Sequence, residues 1–244
     1  MGSRSCLKER WSVHIDGIAV VEEVRMYKIY DLYDLDHTLA CDYLKQFAYP
    51  WEALSGIGDM IVSLGNGLDP TLYTEVSEHV WIHNSAKVFP TAYIGAPCII
   101  GPHAEVRHCA FIRGSALVGE GCVVGNSVEL KNVILFDQVQ VPHYNYVGDS
   151  ILGYYAHMGA GSITSNVKSD KETVTVGDHG NKVETGLKKF GAMIGDRTEV
   201  GCNAVLNPGT VLGRNCTVYP TSCVRGVLEE GSIWKNDGTV VKKK

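Results

Sequence analysis

Three groups of residues have the types and spacing for chemistry. The stretch "HYNYVGDSILGYYAHMGAGSITSN", residues 143 to 166, opens with His143 among aromatics and then runs through glycines and small residues unsuited to a helix. An imidazole there could take a proton near neutral pH, its unperturbed pKa being about 6.5. Upstream, "YDLDHTLA" sets Asp34, Asp36 and Thr38 in a DxDxT spacing, in which one carboxylate can be a nucleophile and the other an acid. His83, His103 and His108 are of a type that ligates zinc. Which group is used depends on the elements that carry it.

Steps of six from Ile82 give Ile82, Val88, Ile94, Ile100, Val106, Ile112, Val118, Val124, Leu130, Phe136 and Pro142, all but the last large and apolar. Four residues after the first nine come Ala86, Ala92, Cys98, Ala104, Ala110, Ala116, Cys122, Val128 and Ile134, nearly all small. A second array, Ile194, Val200, Leu206, Leu212, Val218 and Val224, keeps the same offset to Thr198, Ala204, Thr210, Cys216 and Ser222. A period of six fits neither a helix nor an alternating strand; it is the hexapeptide signature of a parallel β-helix. Large aliphatics fill a triangular prism, small residues let the chain turn corners, and coils stack about 4.8 Å apart.

An all-β main domain is therefore expected over residues 80–234. Within it, residues 168–190 abandon the hexads and read as a protruding, hairpin-like loop. Residues 26–79 show helical spacing from Thr38 to Phe47 and from Pro50 to Leu64, with Gly65-Asn66-Gly67 as a stop, and are expected to cap the first coil. Residues 1–25 read as a loosely ordered extension, with Met26 a candidate natural start, and residues 235–244 as a basic tail.

This frame sorts the candidates. A β-helix cannot supply the alternating strands and helices that a haloacid-dehalogenase-like phosphatase needs around its DxDxT, so Asp34 and Asp36 read as helix-capping acids. Zinc-binding γ-class carbonic anhydrases are hexapeptide proteins whose histidine pair lies one and two places after core positions. Here His103 is three after Ile100 and His108 two after Val106, and a one-residue slip turns a side chain elsewhere. Corner or surface positions are expected for them, and no metal.

A formal charge of −5 points away from nucleic acid. No apolar run approaches the roughly eighteen residues of a membrane span, and Lys8, Arg10, Asp16 and Glu22 make the first residues unlike a secretory signal. The eight cysteines include no CxxC pair and read as reduced thiols. A cytoplasmic location is expected.

The motifs "VELKN", "H-x-x-YVGD", "GAGSITSN", "KKF" and "IGD" carry a resemblance over residues 113 to 224. The chain there resembles hexapeptide-repeat acyltransferases, above all the acetyltransferase domain of the bifunctional N-acetylglucosamine-1-phosphate uridyltransferase/glucosamine-1-phosphate acetyltransferase. The glycine-rich GxGTRM-like start of a uridyltransferase domain is missing, so acyl transfer alone is implied. The resemblance implies a left-handed β-helix, a homotrimer with active sites between subunits, and acetyl-CoA as acyl donor. It implies His143 as general base, which fits the chemistry, because an amine must lose a proton as it attacks the thioester. Arg113, Lys131, Tyr146 and Lys189 match sugar-phosphate contacts, Asn166 a sugar contact, and Ala160 a backbone contact to the acetyl group. Cys202 and Pro220 match coenzyme contacts, with Lys235 as the basic residue toward its phosphates. Pro142, breaking the array just before His143, is expected to leave that histidine facing a groove.

Departures accompany these matches. His157 stands where the family has asparagine, Val167 replaces a tyrosine, and the loop to Lys189 is almost twenty residues longer. The expected activity is acetylation of an amino sugar phosphate or nucleotide amino sugar, with His157 bearing on the acceptor. Cys202 and Pro220, in place of the usual small residues, keep open a non-catalytic sugar-phosphate or nucleotide-sugar binding protein.

Overall fold

Hexads become coils because each inward aliphatic stacks on its counterpart one turn away. The computed structural model describes residues 14–15, 18–19, 26–178 and 181–244. The extension expected at 1–25 lies outside the described residues, apart from the paired strands His14–Ile15 and Ile18–Ala19. The main body is a left-handed parallel β-helix of about 8 turns. Its first face runs from Val80–His83 through Cys98–Ile100, Ala116–Val118 and Ala192–Ile194 to Val227–Leu228. The second runs from Lys87–Val88 through Gln140–His143 to Ser232–Trp234, and the third from Tyr93–Ile94 to Cys223–Val224. Long strands, Glu129–Leu135 and Tyr146–Leu152, bend across the third and first faces.

Corners are turned by residues in the left-handed region. Cys109, Ser127, Tyr144, Asn203 and Thr221 serve the corner after the second face, with φ of 53° to 60°. Such a conformation costs a side-chain-bearing residue energy, and it persists because the coils on either side dictate it.

The inward array holds up to Leu130 and then slips. Val118 pairs with Leu135 and Val124 with Val141, so one residue is lost between Leu130 and Leu135. Leu135 and Val141 are the fully buried core residues, where the hexad count expected Phe136 and Pro142. Pro142 is therefore no broken core position. Phe136 falls level with Gly101, Gly119, Gly153, Gly195 and Gly213, facing outward, and is fully buried against Tyr33 with ring centroids 5.0 Å apart.

What buries Phe136 is the N-terminal segment. On the first face the outward residues Ile99, Leu117, Ile134, Ile151, Met193 and Val211 are also apolar, and all are buried. Residues 27–65 lie over this stripe as a strap. Near the last coils, Glu230 N–H donates to Tyr27 Oη (2.7 Å) and Arg214 Nη2 to the Tyr30 carbonyl (3.2 Å). Asp196 N–H then donates to Leu32 O and Asp137 N–H to His37 O, both at 3.0 Å. Pro50–Gly56 packs on Tyr146–Leu152 and Ile57–Gly65 on the first coils, where any side chain on Gly65 would strike the Trp81 ring.

Where helical spacing was expected the strap holds short pieces, α-helix at Cys41–Leu44 and Ile57–Gly65 and a 3-10 helix at Pro50–Gly56, and they run along one face instead of closing the first coil. An antiparallel strand, Tyr73–Ser77, covers that edge, and Val240–Lys242 folds back on Ser232–Trp234 at the other end. Both turn-backs pair backbone groups that would otherwise template another chain.

The DxDxT residues belong to the strap. Asp34 caps the short 3-10 turn Leu35–His37, its Oδ1 accepting from Asp36 N–H (3.3 Å), while its own N–H donates to Asp196 Oδ2 (2.7 Å). Burial pushes the Asp196 carboxyl above the usual carboxylate range, against the opposing pull of the Asp34 N–H and Arg214. An acid with a raised folded-state pKa gives stability that is full below its unfolded value of about 3.9 and lost as pH rises through the folded one. Asp196→Asn cannot ionise. Its melting temperature, whatever its constant offset, is expected to gain on the parent's as pH rises from about 4 to 7; parallel melting curves would contradict this.

Candidate active site

His143 ends the strand Gln140–His143, level with Asn126 on the coil before. The corner beyond it is laddered. Tyr144 N–H donates to Asn126 O, Gly161 N–H to His143 O, Asn203 N–H to Ala160 O and Thr221 N–H to Cys202 O, at 2.8 to 3.0 Å. His143, Ala160, Cys202 and Pro220 therefore occupy the same corner of successive coils. Lys235 flanks its end, following Trp234, whose carbonyl accepts from Tyr219 N–H at 2.8 Å. Residues scattered over ninety positions of sequence form one column because coils stack in register.

His143 is solvent-exposed. Its corner is set from beneath by Asn145, only 2 % exposed. Asn145 Oδ1 accepts from His143 N–H (3.1 Å), while Nδ2 donates to the carbonyls of Gly159 (2.8 Å) and Ser162 (3.1 Å). This bolts the histidine's backbone to the GAG turn. Sequence reading missed Asn145, although a polar residue two places before the inward Val147 was a signal. On the preceding coil, a methyl at Gly125 would run into the Pro142 carbonyl. Gly125→Ala is expected to displace Gln140–His143, lowering stability by roughly 1–3 kcal/mol, as read from denaturant melts.

A second cluster lies on the third face. Arg113 Nη1 donates to Glu129 Oε1 (2.9 Å), and this bond raises the guanidinium pKa further. One coil on, Lys131 Nζ donates to both oxygens of Asp149 (3.0 and 3.2 Å). Asn166 Nδ2 donates to Tyr146 Oη (3.1 Å) and Asp149 Oδ2 (2.5 Å). Burial, with Asp149 and Glu129 nearby, raises the Tyr146 pKa, keeping the phenol neutral. Arg113, Lys131, Tyr146 and Asn166 are thus brought together, but each cation already holds a carboxylate, a pairing the sequence reading did not foresee. Lys189 is exposed at the loop's return, just before Phe190, whose N–H donates to Asn166 O (2.9 Å).

His157 is not part of this cluster within one chain. It sits on the second face, level with Gln140 and Glu199, its Nδ1 2.7 Å from Glu199 Oε2. Gln140 and His143 are three residues apart on one strand, or about 10 Å. With Gln138, Gln140, Tyr155 and Glu199, His157 lines a shallow depression of about 360 Å³.

In the inserted loop, Thr175–Asp178 pairs antiparallel with Asn181–Glu184. Val174 and Val176 are buried, and the pair packs on Val227–Leu228 of its own chain. His83 pairs with Ser85 Oγ (2.8 Å) and His108 with Thr91 Oγ1 (3.2 Å). Among the described residues no group of three histidine, cysteine or acidic side chains could hold a metal ion, and no helix is long and apolar enough to cross a membrane. The seven cysteines among them are free thiols.

Residues 96–188 match the family model "GMPPB C-terminal domain". The chain is 30 % identical over 207 residues to a bifunctional protein GlmU of Methanococcus maripaludis, covering 83 % of this chain and 50 % of that protein. It is 26 % identical over 234 residues to a bifunctional sugar-1-phosphate nucleotidylyltransferase/acetyltransferase of Sulfurisphaera tokodaii, covering 91 % and 58 %. The chain thus spans about half the length of these relatives. Among solved structures, a hexapeptide transferase family protein from Anaplasma phagocytophilum is 16 % identical, with a TM-score of 0.38 over 68 % of this chain and 80 % of that one. GDP-perosamine N-acetyl transferase from Caulobacter crescentus, with CoA and GDP-perosamine, is 18 % identical, with a TM-score of 0.29 over 66 % and 56 %. By its own coils and by these relatives, the chain is a hexapeptide-repeat β-helix protein similar to the bifunctional GlmU proteins and sugar-1-phosphate nucleotidylyltransferase/acetyltransferases.

Proposed function

We propose that this chain transfers an acetyl group from acetyl-CoA to the amine of an amino sugar carrying a phosphate or a nucleotide, with His143 as general base. The observation that carries this reading is the single corner column of His143, Ala160, Cys202 and Pro220, beside the Arg113, Lys131, Tyr146 and Asn166 cluster. Acetyl-CoA lies along the column with Lys235 toward its phosphates, and the sugar lies on the third face. The amine nitrogen attacks the thioester carbonyl, the imidazole takes the amine proton, and coenzyme A leaves as the C–S bond breaks. In the GAG turn, Gly161 N–H is committed to His143 O and Gly159 N–H to Val200 O, so the oxyanion is taken by Ala160 N–H. No metal takes part.

The strap occupies the first face, so subunits of the proposed cytoplasmic homotrimer meet through the other two. Lys189 and His157 reach the acceptor from the loop's return and from a neighbouring subunit. The test is a free-thiol assay with acetyl-CoA and glucosamine 1-phosphate, extended to a panel of amino sugars read by mass shift. Acceptor-dependent release supports the reading. No release, with sugar phosphate still bound, replaces it by the binding-protein alternative.

A further inference from the structure

We infer that Asp149 is a positioning residue for the acceptor: its buried carboxylate dictates which atoms Lys131 and Asn166 present to the ligand. The inference rests on the acceptor site proposed above. Asp149 is 3 % exposed and sits at a left-handed corner with φ of 48°. A carboxylate removed from water needs donors at both oxygens. Oδ1 accepts from Lys131 Nζ (3.0 Å) and Asn132 Nδ2 (2.9 Å), and Oδ2 accepts from Lys131 Nζ (3.2 Å) and Asn166 Nδ2 (2.5 Å).

A carboxylate only accepts, so Asn166 must turn its NH₂ toward Asp149. That NH₂ has two hydrogens, and its partners are Asp149 and Tyr146 Oη. The Asn166 carbonyl oxygen is thereby fixed as the group offered outward, one that takes a hydroxyl or amine donor and rejects a phosphate oxygen. Lys131 spends two N–H groups on Asp149 and keeps the third for an anion. One carboxylate thus sorts the acceptor's anionic end from its hydroxyl- and amine-bearing ring. Asp149 also reaches two other parts of the molecule. Its carbonyl accepts from Gly191 N–H (2.8 Å), two residues past Lys189. Asn132 Nδ2 is shared with the Leu54 carbonyl of the strap (3.1 Å).

Asp149→Asn tests this, because asparagine tolerates the left-handed corner but turns an NH₂ into a nest of donors. The Michaelis constant for glucosamine 1-phosphate is expected to rise by about tenfold or more, with that for acetyl-CoA within about twofold. Asn166→Ala should do the same in the parent, yet add less than about threefold on top of Asp149→Asn, because the two act as one unit. Equal changes in both Michaelis constants, or additive effects, would overturn the role of Asp149 while leaving the transferase reading intact. A parent that neither binds nor acetylates amino sugar phosphates would overturn both. Should Asp149→Asn fail to fold, Lys131→Gln and Asn166→Ala, singly and together, decide: additive rises in the acceptor constant sink the proposal, and a double variant little worse than either single one sustains it, because both side chains are held by the same carboxylate.

Discussion

Coenzyme A release by His143→Ala is expected to fall about 10²- to 10⁴-fold below the parent, the usual contribution of a positioned base, with the fold unaffected. The imidazole is exposed and makes no hydrogen bond or ion pair among the described residues. The residue's structural ties run through its backbone, the N–H to Asn145 Oδ1 and the carbonyl from Gly161 N–H, and alanine keeps both. A surface truncation of this kind moves stability by no more than about 0.5 kcal/mol. Matching melting curves beside a collapsed rate would therefore locate the loss in chemistry. Equal thiol release by both proteins would remove His143 from the reaction.

Phe136→Ala is expected to be the most damaging single change outside the prism, at about 3–5 kcal/mol. Its ring is fully buried where five other coils carry glycine, so nothing on its own face can fill the void. It also holds Tyr33, whose own pKa is pushed up by complete burial and by Asp196. For a chain of this size the loss corresponds to a fall of roughly 6–20 °C in melting temperature. Residues 27–65 should become cleavable by protease before the coils unfold, as judged by fragment masses. Loss of stability without strap cleavage would mean that Phe136 serves the coils alone.

These two residues mark the range of what could be read in advance. As the proposed base, His143 could be put forward from sequence because the motif around it is local, from the histidine through YVGD to the GAG turn. Phe136 was misread because hexad counting assumes eighteen residues per coil, and the coil from Val118 to Leu135 is one shorter. Pro142 was misplaced with it. The outer stripe was visible too, as adjacent apolar pairs at every third hexad, such as Ile99-Ile100, Leu117-Val118 and Met193-Ile194. A period of six reports what fills the prism and says nothing of what covers the outside of a face.

By itself, the order of residues determined the β-helix and the inward array up to Leu130 and again from Ile194. These depend on local periodicity, which stacking only repeats. Tertiary structure alone decided three other things. It laid the N-terminal helices along the first face, because an outer apolar stripe must be covered by whatever segment can reach it. It put His143, Ala160, Cys202 and Pro220 into one column, because register is a property of paired coils. And it paired Arg113 with Glu129 and Lys131 with Asp149, because which charges meet is set by which residues stand one coil apart.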